Sequence, residues 1–213
     1  MPDRDAVLLA QALCSRLCHD LAGPLGAIGS GAELLEEDAG ETDGEIIDLL
    51  SRSAAAASGR LRVCRALLGQ PTSRSHDPTE ARGVLTEHLA MGSGSHAPEL
   101  SWRVSASGPD ERVRPMVQVL LTLTVVALEA MPRHDRIAVN GTLPGTCDIQ
   151  VSGAAPVRQP PLEALAAGLD NRALISDPRN IMGYYAGLLA HDLGARVRVE
   201  SLPGTLHVSL HTP

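Results

Sequence analysis

Apolar residues in the first third of the chain recur at alternating spacings of three and four. Cys14, Leu17, Leu21, Pro24, Ile28, Gly31 and Leu35 form one such stripe; Ile47, Leu50, Ala54, Ala57, Leu61, Cys64 and Leu68 form another. That alternation is the seam of a helix that packs lengthwise on other helices. Between the stripes, D-A-G-E-T-D-G at 38–44 is dense in helix breakers and reads as a turn. A hairpin of two such helices leaves each stripe open on one side. The pattern therefore predicts that two copies close into an antiparallel four-helix bundle around a dimer axis.

The period changes after Q-P-T-S-R-S-H-D-P at 70–78, a polar stretch bounded by prolines. Helices are predicted over Thr79–Met91, Arg114–Met131, Leu162–Leu169 and Asn180–Leu193, the last closed by Gly194 as a C-cap. Two-residue alternation predicts strands over Leu100–Ser105, Arg136–Thr142, Cys147–Ser152, Arg196–Ser201 and Thr205–His211. Leu143-Pro-Gly145 and Leu202-Pro-Gly204 stand between the paired runs as hairpin connections. The expected organisation is a helical hairpin over residues 1–70, a linker over 71–78 and a two-layer α/β sandwich over 79–213.

Composition narrows the function classes. The net charge of −7 gives no general pull toward nucleic acid or an anionic membrane. Phenylalanine is absent and aromatics are 1% of the chain, so the core is aliphatic and base-stacking platforms are excluded. The apolar run from Val117 to Ala127 is too short to span a bilayer. No charged start leads into an apolar leader, and the four cysteines show no secreted-type framework, so a cytoplasmic protein with reduced thiols is expected.

One feature carries chemistry. Residues 18–25 read C-H-D-L-A-G-P-L inside the first helical pattern. His19 is two residues from both Leu17 and Leu21, roughly 200° around the helix from each, so it points off the seam into solvent. An imidazole is a nucleophile and proton carrier near neutral pH, and the adjacent Asp20 can fix its tautomer or take its proton. Pro24 is expected to kink the helix one turn on. The residues sharing the histidine's face are Ala12, Ser15, Arg16, Ala22, Gly23, Gly26 and Ala27, all but Arg16 very small. Each exposed helical glycine costs about 1 kcal/mol relative to alanine. Such a surface makes sense where another protein brings its own backbone close to the imidazole.

The C-H-D-L-A-G-P-L block resembles the phospho-accepting H-box of two-component histidine kinases. The wider run L-C-S-R-L-C-H-D-L-A-G-P-L-G-A-I-G-S-G-A-E-L-L and the C-terminal D-P-R-N-I-M-G-Y-Y-A-G-L-L-A-H-D-L-G-A resemble the ChpT-type histidine phosphotransferases of bacterial phosphorelays. The resemblance implies that His19 accepts a phosphoryl group from the receiver aspartate of a hybrid kinase. It then passes the group to the receiver aspartate of a response regulator. Asp20 would orient the ring or hold its proton, and Arg16 would pair with acidic groups of the receiver. Ala22, Gly23, Gly26 and Ala27 would form the docking surface. Kinases that also dephosphorylate their partners place Thr or Asn four residues after the histidine; Gly23 stands here, which argues against a phosphatase.

Residues 117–139 resemble the N-box region of the kinase ATP-binding (Bergerat-type) domain. Aligned on Pro132 and Ile137, the two magnesium-holding asparagines of a kinase fall on Thr122 and Val126. The adenine-reading D-x-G-x-G turn is replaced by Ser152-Gly-Ala-Ala155, and no phosphate-cradling loop follows. The expectation is a degenerate domain that keeps the fold without the nucleotide, no cofactor of its own, and any magnesium supplied by the partner receiver. Cys14, Cys18 and His19 lack a fourth ligand for a metal, and Cys14 is expected to be buried on the seam. His191-Asp192-Leu193 repeats the H-D-L string at a helix C-terminus, where a histidine simply complements the dipole. Two other readings remain open: a sensor kinase core with a diverged ATP site, and a module that binds receivers without turnover.

Overall fold

The computed structural model describes residues 3–37, 43–71, 77–92, 98–154, 156–167 and 180–213. Helices α1 (Asp3–Glu37) and α2 (Asp43–Leu68) form the predicted hairpin. Then come α3 (Pro78–Gly92), β1 (Glu99–Ala106), α4 (Asp110–Ala130), β2 (Arg136–Leu143) and β3 (Thr146–Ser152). The chain ends with α5 (Gln159–Ala167), α6 (Ile181–Asp192), β4 (Arg196–Leu202) and β5 (Thr205–His211). Most of the expected 71–78 linker, residues 72–76, lies outside the described residues, as do 168 and 169 of the expected 162–169 helix.

The stripes of the hairpin divide into an inner and an outer set. Leu17, Leu21, Pro24, Ile28, Gly31 and Leu35 are buried or half-buried. Gly31 sits so close to Leu50 that a β-carbon there would come within 2.8 Å of its side chain. Cys14, expected on the buried seam, is exposed with Cys18. Leu25 stays 54% exposed, as do Ile47 at 54% and Leu61 at 47%. Ile47, Ala54 and Leu61, spaced by heptads, draw an exposed line along α2. Within one chain the hairpin thus leaves part of its apolar pattern, mostly on α2, exposed. α1 runs helical through Pro24 to Glu37.

The sheet has the order β1-β2-β3-β5-β4. β1 and β2 are parallel, which takes the crossover through α4. The other pairs are antiparallel, two of them closed by the short turns at Pro144-Gly145 and Pro203-Gly204. Strict alternation puts Ile137 and Val139 of β2, Cys147, Ile149 and Val151 of β3, and Leu206, Val208 and Leu210 of β5 on one buried face. Register continues that face across strands, with Val139 opposite Ile149 and Ile149 opposite Val208. α4 and α6 pack against the sheet and α5 packs on both of them, giving the two-layer sandwich. α4 is apolar all round because it is covered all round: its most apolar window is 83% buried inside the protein, the environment of a core helix rather than a lipid-facing one. It starts at Asp110, ahead of the expected Arg114, with Asp110 and Glu111 in the first turn where acids suit the helix dipole. α6 ends at Gly194, whose φ of +64° is the left-handed conformation expected of the C-cap.

Hairpin and sandwich share one core. Ala12 of α1 and Val63, Ala66 and Leu67 of α2 are buried, and the first two and Leu67 belong to the cluster built on α4. Gln118, a buried polar residue of α4, donates through Nε2 to the carbonyls of Leu67 at 2.9 Å and Gly69 at 2.7 Å. Those are carbonyls at the end of α2 that have no helical donor of their own. α4 therefore fixes where the hairpin stands.

Candidate functional site

α1 carries His19 outward, with its side chain 85% exposed. Asp20, next to it, turns toward the hairpin junction and is 30% exposed. Its Oδ1 lies 3.4 Å from His19 Nδ1, and its Oδ2 accepts a 2.9 Å hydrogen bond from Arg16 Nε one turn earlier. The carboxylate thus faces one ring nitrogen and leaves Nε2 open to solvent.

Pro24 explains a second anchor. Proline has no N–H, so the Asp20 carbonyl four residues before it has no helical donor. Arg60 of α2 supplies one, donating through Nη1 to that carbonyl. A proline inside a helix beside a candidate nucleophile is thereby turned into a tie between the two helices. Arg60 was not singled out in the sequence; the orphaned carbonyl was the available signal.

Around the histidine, Ala22, Gly23 and Gly26 are exposed, and a β-carbon at either glycine would meet nothing within 4 Å. Ala27 is half-buried, whereas Ala12, expected on the same face, is buried in the core. Arg16 departs from expectation. It is not an outward cation for an incoming partner: its Nη2 donates at 2.5 Å to Glu129 Oε1 of α4, and its side chain is 23% exposed. No periodicity or motif in the sequence pairs residues 113 apart. His191 lies exposed at the end of α6, where its carbonyl accepts the Gly194 N–H, a helix-closing role. Thr122 and Val126 are both buried, and the Thr122 hydroxyl donates to the Gln118 carbonyl at 2.8 Å. Neither position presents an oxygen or nitrogen to a phosphate. Among the described residues no three of His, Cys, Asp and Glu cluster as metal ligands.

The profile of the family described as "Histidine phosphotransferase C-terminal domain" matches residues 78–203. Protein phosphotransferase ChpT of Brucella abortus (strain 2308) is 32% identical over 206 residues, covering 92% of this chain and 91% of that protein. The solved structure of a bacterial phosphotransferase superposes with a TM-score of 0.73 at 28% identity, over 97% of each chain. The chain belongs to the histidine phosphotransferase family.

In this histidine phosphotransferase a cavity of about 240 Å³ opens just behind the histidine, where α1 and α2 meet α3, α4 and α6. Arg16, Asp20, Arg60, Cys64, His88 and Glu129 put polar atoms on its wall. Burial pushes His88 down to about 4, with the Arg16 charge acting in the same direction, so its imidazole is neutral at physiological pH. Burial pushes Glu129 above the usual carboxylate range, and the Arg16 guanidinium opposes that shift. Burial works against the Arg16 charge as well, but Glu129 and Asp20 outweigh it.

His88 makes stability depend on pH. Below about 6.5 the unfolded imidazole binds a proton that the folded one refuses until about pH 4. The unfolded state is then the better proton acceptor, so stability falls as pH drops through that window. The full loss is on the order of 3 kcal/mol. Glu129 acts with the opposite sign, since its raised value favours the folded state toward acid. Chemical denaturation between pH 7 and pH 4 is expected to give a clear loss for the native chain and a flatter profile for His88→Gln. An unchanged profile in the variant would assign the slope to another group.

Proposed function

We propose that His19 is the phosphoryl carrier of a two-component phosphorelay, receiving the group from one receiver aspartate and delivering it to another. The observation that carries this reading is the pairing of an open Nε2 with an Nδ1 that faces Asp20 Oδ1 at 3.4 Å. With the proton on Nδ1, the Nε2 lone pair attacks the phosphorus of an aspartyl phosphate. The N–P bond forms as the P–O bond to the aspartate breaks, and the carboxylate leaves with the electron pair. The positive charge that develops on the ring is stabilised by Asp20, which holds or accepts the Nδ1 proton. Delivery to the second receiver is the same step in reverse, with that carboxylate attacking phosphorus and the neutral imidazole leaving.

The small exposed residues Ala22, Gly23 and Gly26, with Ala27 at their edge, suit the close approach of a receiver backbone. The donor is the receiver domain of a hybrid histidine kinase and the acceptor that of a response regulator. This chain uses no ATP in the reaction, a reading supported by the buried, committed state of Thr122 and Val126. It needs no resident cofactor, and magnesium arrives with the receiver. The cytoplasm, where receivers and reduced thiols coexist, is the matching compartment. The α/β unit is a relative of the kinase ATP-binding domain kept as scaffold and receiver-facing surface.

The working form is a homodimer. Leu25, Ile47, Leu61 and Cys18 lie exposed on the outer side of the hairpin, and a second hairpin would bury them in a four-helix bundle. Light scattering is expected to give about twice the 22.3 kDa chain mass, the commonest closed assembly. Leu61→Glu, which would bury an unpaired charge there, is expected to shift the protein to monomer. A native monomer at micromolar concentration would contradict the bundle.

Transfer itself is tested with purified receiver domains phosphorylated by acetyl phosphate. His19→Ala is expected to stay folded, bind the receiver and accept no label, while Asp20→Ala accepts it slowly. Gly26→Leu is expected to keep a sound fold but block docking, since the space its side chain fills is solvent in the free protein. Mg-ATP in place of the receiver is expected to label nothing. Label appearing on His19 from ATP would support a diverged kinase, and normal transfer by His19→Ala would remove His19 from the site.

A further inference from the structure

Glu129 stands where the fold gives it three reasons not to be. It is the sole charge between Met116 and Ala130 of a buried helix. It occupies the last turn of α4, where the helix dipole disfavours an acid. Its Oε2 is buried and has no hydrogen-bond partner among the described residues. Orphaned buried oxygens are rare in native proteins and mark strain or function. An apolar or amide side chain would serve packing at lower cost. Among the described residues Glu129 makes one side-chain hydrogen bond: its Oε1 accepts from Nη2 of Arg16 at 2.5 Å.

That contact decides how Arg16 meets Asp20. A guanidinium is a planar fork that prefers to grip both oxygens of one carboxylate. Here the fork is split: Nε goes to Asp20 Oδ2 at 2.9 Å and Nη2 goes to Glu129. Asp20 Oδ1 is left over, and it is the oxygen facing His19 Nδ1. Without Glu129 the freed arm of Arg16 would close on Asp20 Oδ1 and withdraw it from the imidazole. The other nearby cation, Arg60, directs Nη1 to the Asp20 backbone carbonyl, and among the described residues no hydrogen bond joins it to the carboxylate.

We propose that Glu129 is a positioning residue for phosphotransfer: by splitting the Arg16 fork it keeps Asp20 Oδ1 free to hold the His19 Nδ1 proton, so the α/β unit sets the tautomer of the nucleophile. The inference rests on the reading of His19 as phosphoryl carrier. It gives the sandwich a part in the chemistry beyond scaffolding. The proton on a histidine follows the hydrogen bond made by the opposite nitrogen, so the effect is visible on the ring itself.

The deciding experiment is long-range ¹H–¹⁵N correlation NMR of His19 in the full chain, at a pH where the ring is neutral, with no partner present. The native protein is expected to hold the Nδ1–H tautomer. Glu129→Ala is expected to move it toward the Nε2–H form that an unrestrained imidazole prefers, and Glu129→Gln, which still offers Arg16 an acceptor, to fall between. Single-turnover transfer from a saturating phosphorylated receiver is expected to slow about tenfold in Glu129→Ala, the scale of outer partners that orient a histidine ring, with half-saturation unchanged. Should Glu129→Ala fail to fold, Glu129→Met, of similar length and without an acceptor, frees the same arm of Arg16, and the same tautomer shift is expected there. A native tautomer in the folded variant, or a loss confined to receiver affinity or melting temperature, would overturn the inference. Failure of the phosphoryl-carrier reading has a different signature: native protein labelled elsewhere than His19, with the tautomer shift still measurable.

Discussion

Arg16 is the interaction on which the site depends. Its guanidinium joins a carboxylate on its own helix, Asp20, to one on the core helix of the α/β unit, Glu129. An exposed ion pair contributes little, but both members of the second pair are largely removed from solvent, and breaking such a pair leaves a charge stranded. The same residue therefore docks the hairpin on α4 and sets the carboxylate beside His19. The binding of Gln118 to the end of α2 and the shared aliphatic core do the rest of the docking. They leave the outer side of the hairpin free.

Stability and function pull apart along α1. Gly23 and Gly26 weaken the helix at sites where a side chain would have room, and Pro24 removes a backbone donor that Arg60 has to replace. Each departure from a good helix lies within two turns of His19. A chain selected only for a stable hairpin would carry alanine or leucine at these places. What the departures share is access: a bare surface around an imidazole whose neighbouring acid is held rigid from behind.

Local order explains what was legible in the sequence. The elements of the α/β unit show in their periods because alternation in β2, β3 and β5 is a direct image of one buried face, and the uninterrupted apolarity of α4 is a direct image of burial on all sides. His19 and Asp20 are legible because their chemistry is local to one helical turn. The heptad stripes are legible as stripes, but the pattern does not say which members face inward, and Cys14, on the same spacing as the buried set, lies exposed. Arg60 and Glu129 are not legible because they act across separations of 40 and 113 residues, and the inward pairing of Arg16 is hidden for the same reason. A lone acid in the apolar run of α4 and a carbonyl orphaned by Pro24 were the two traces they left.

The central claim is that Nε2 of His19 carries the phosphoryl group while Asp20 holds Nδ1. Incubation with a phosphorylated receiver, followed by ³¹P–¹⁵N correlation on histidine-labelled protein, locates both the residue and the nitrogen. The account predicts one phosphoramidate, on His19 at Nε2. A phosphoryl group on Nδ1 of His19, or on any other residue, would contradict it.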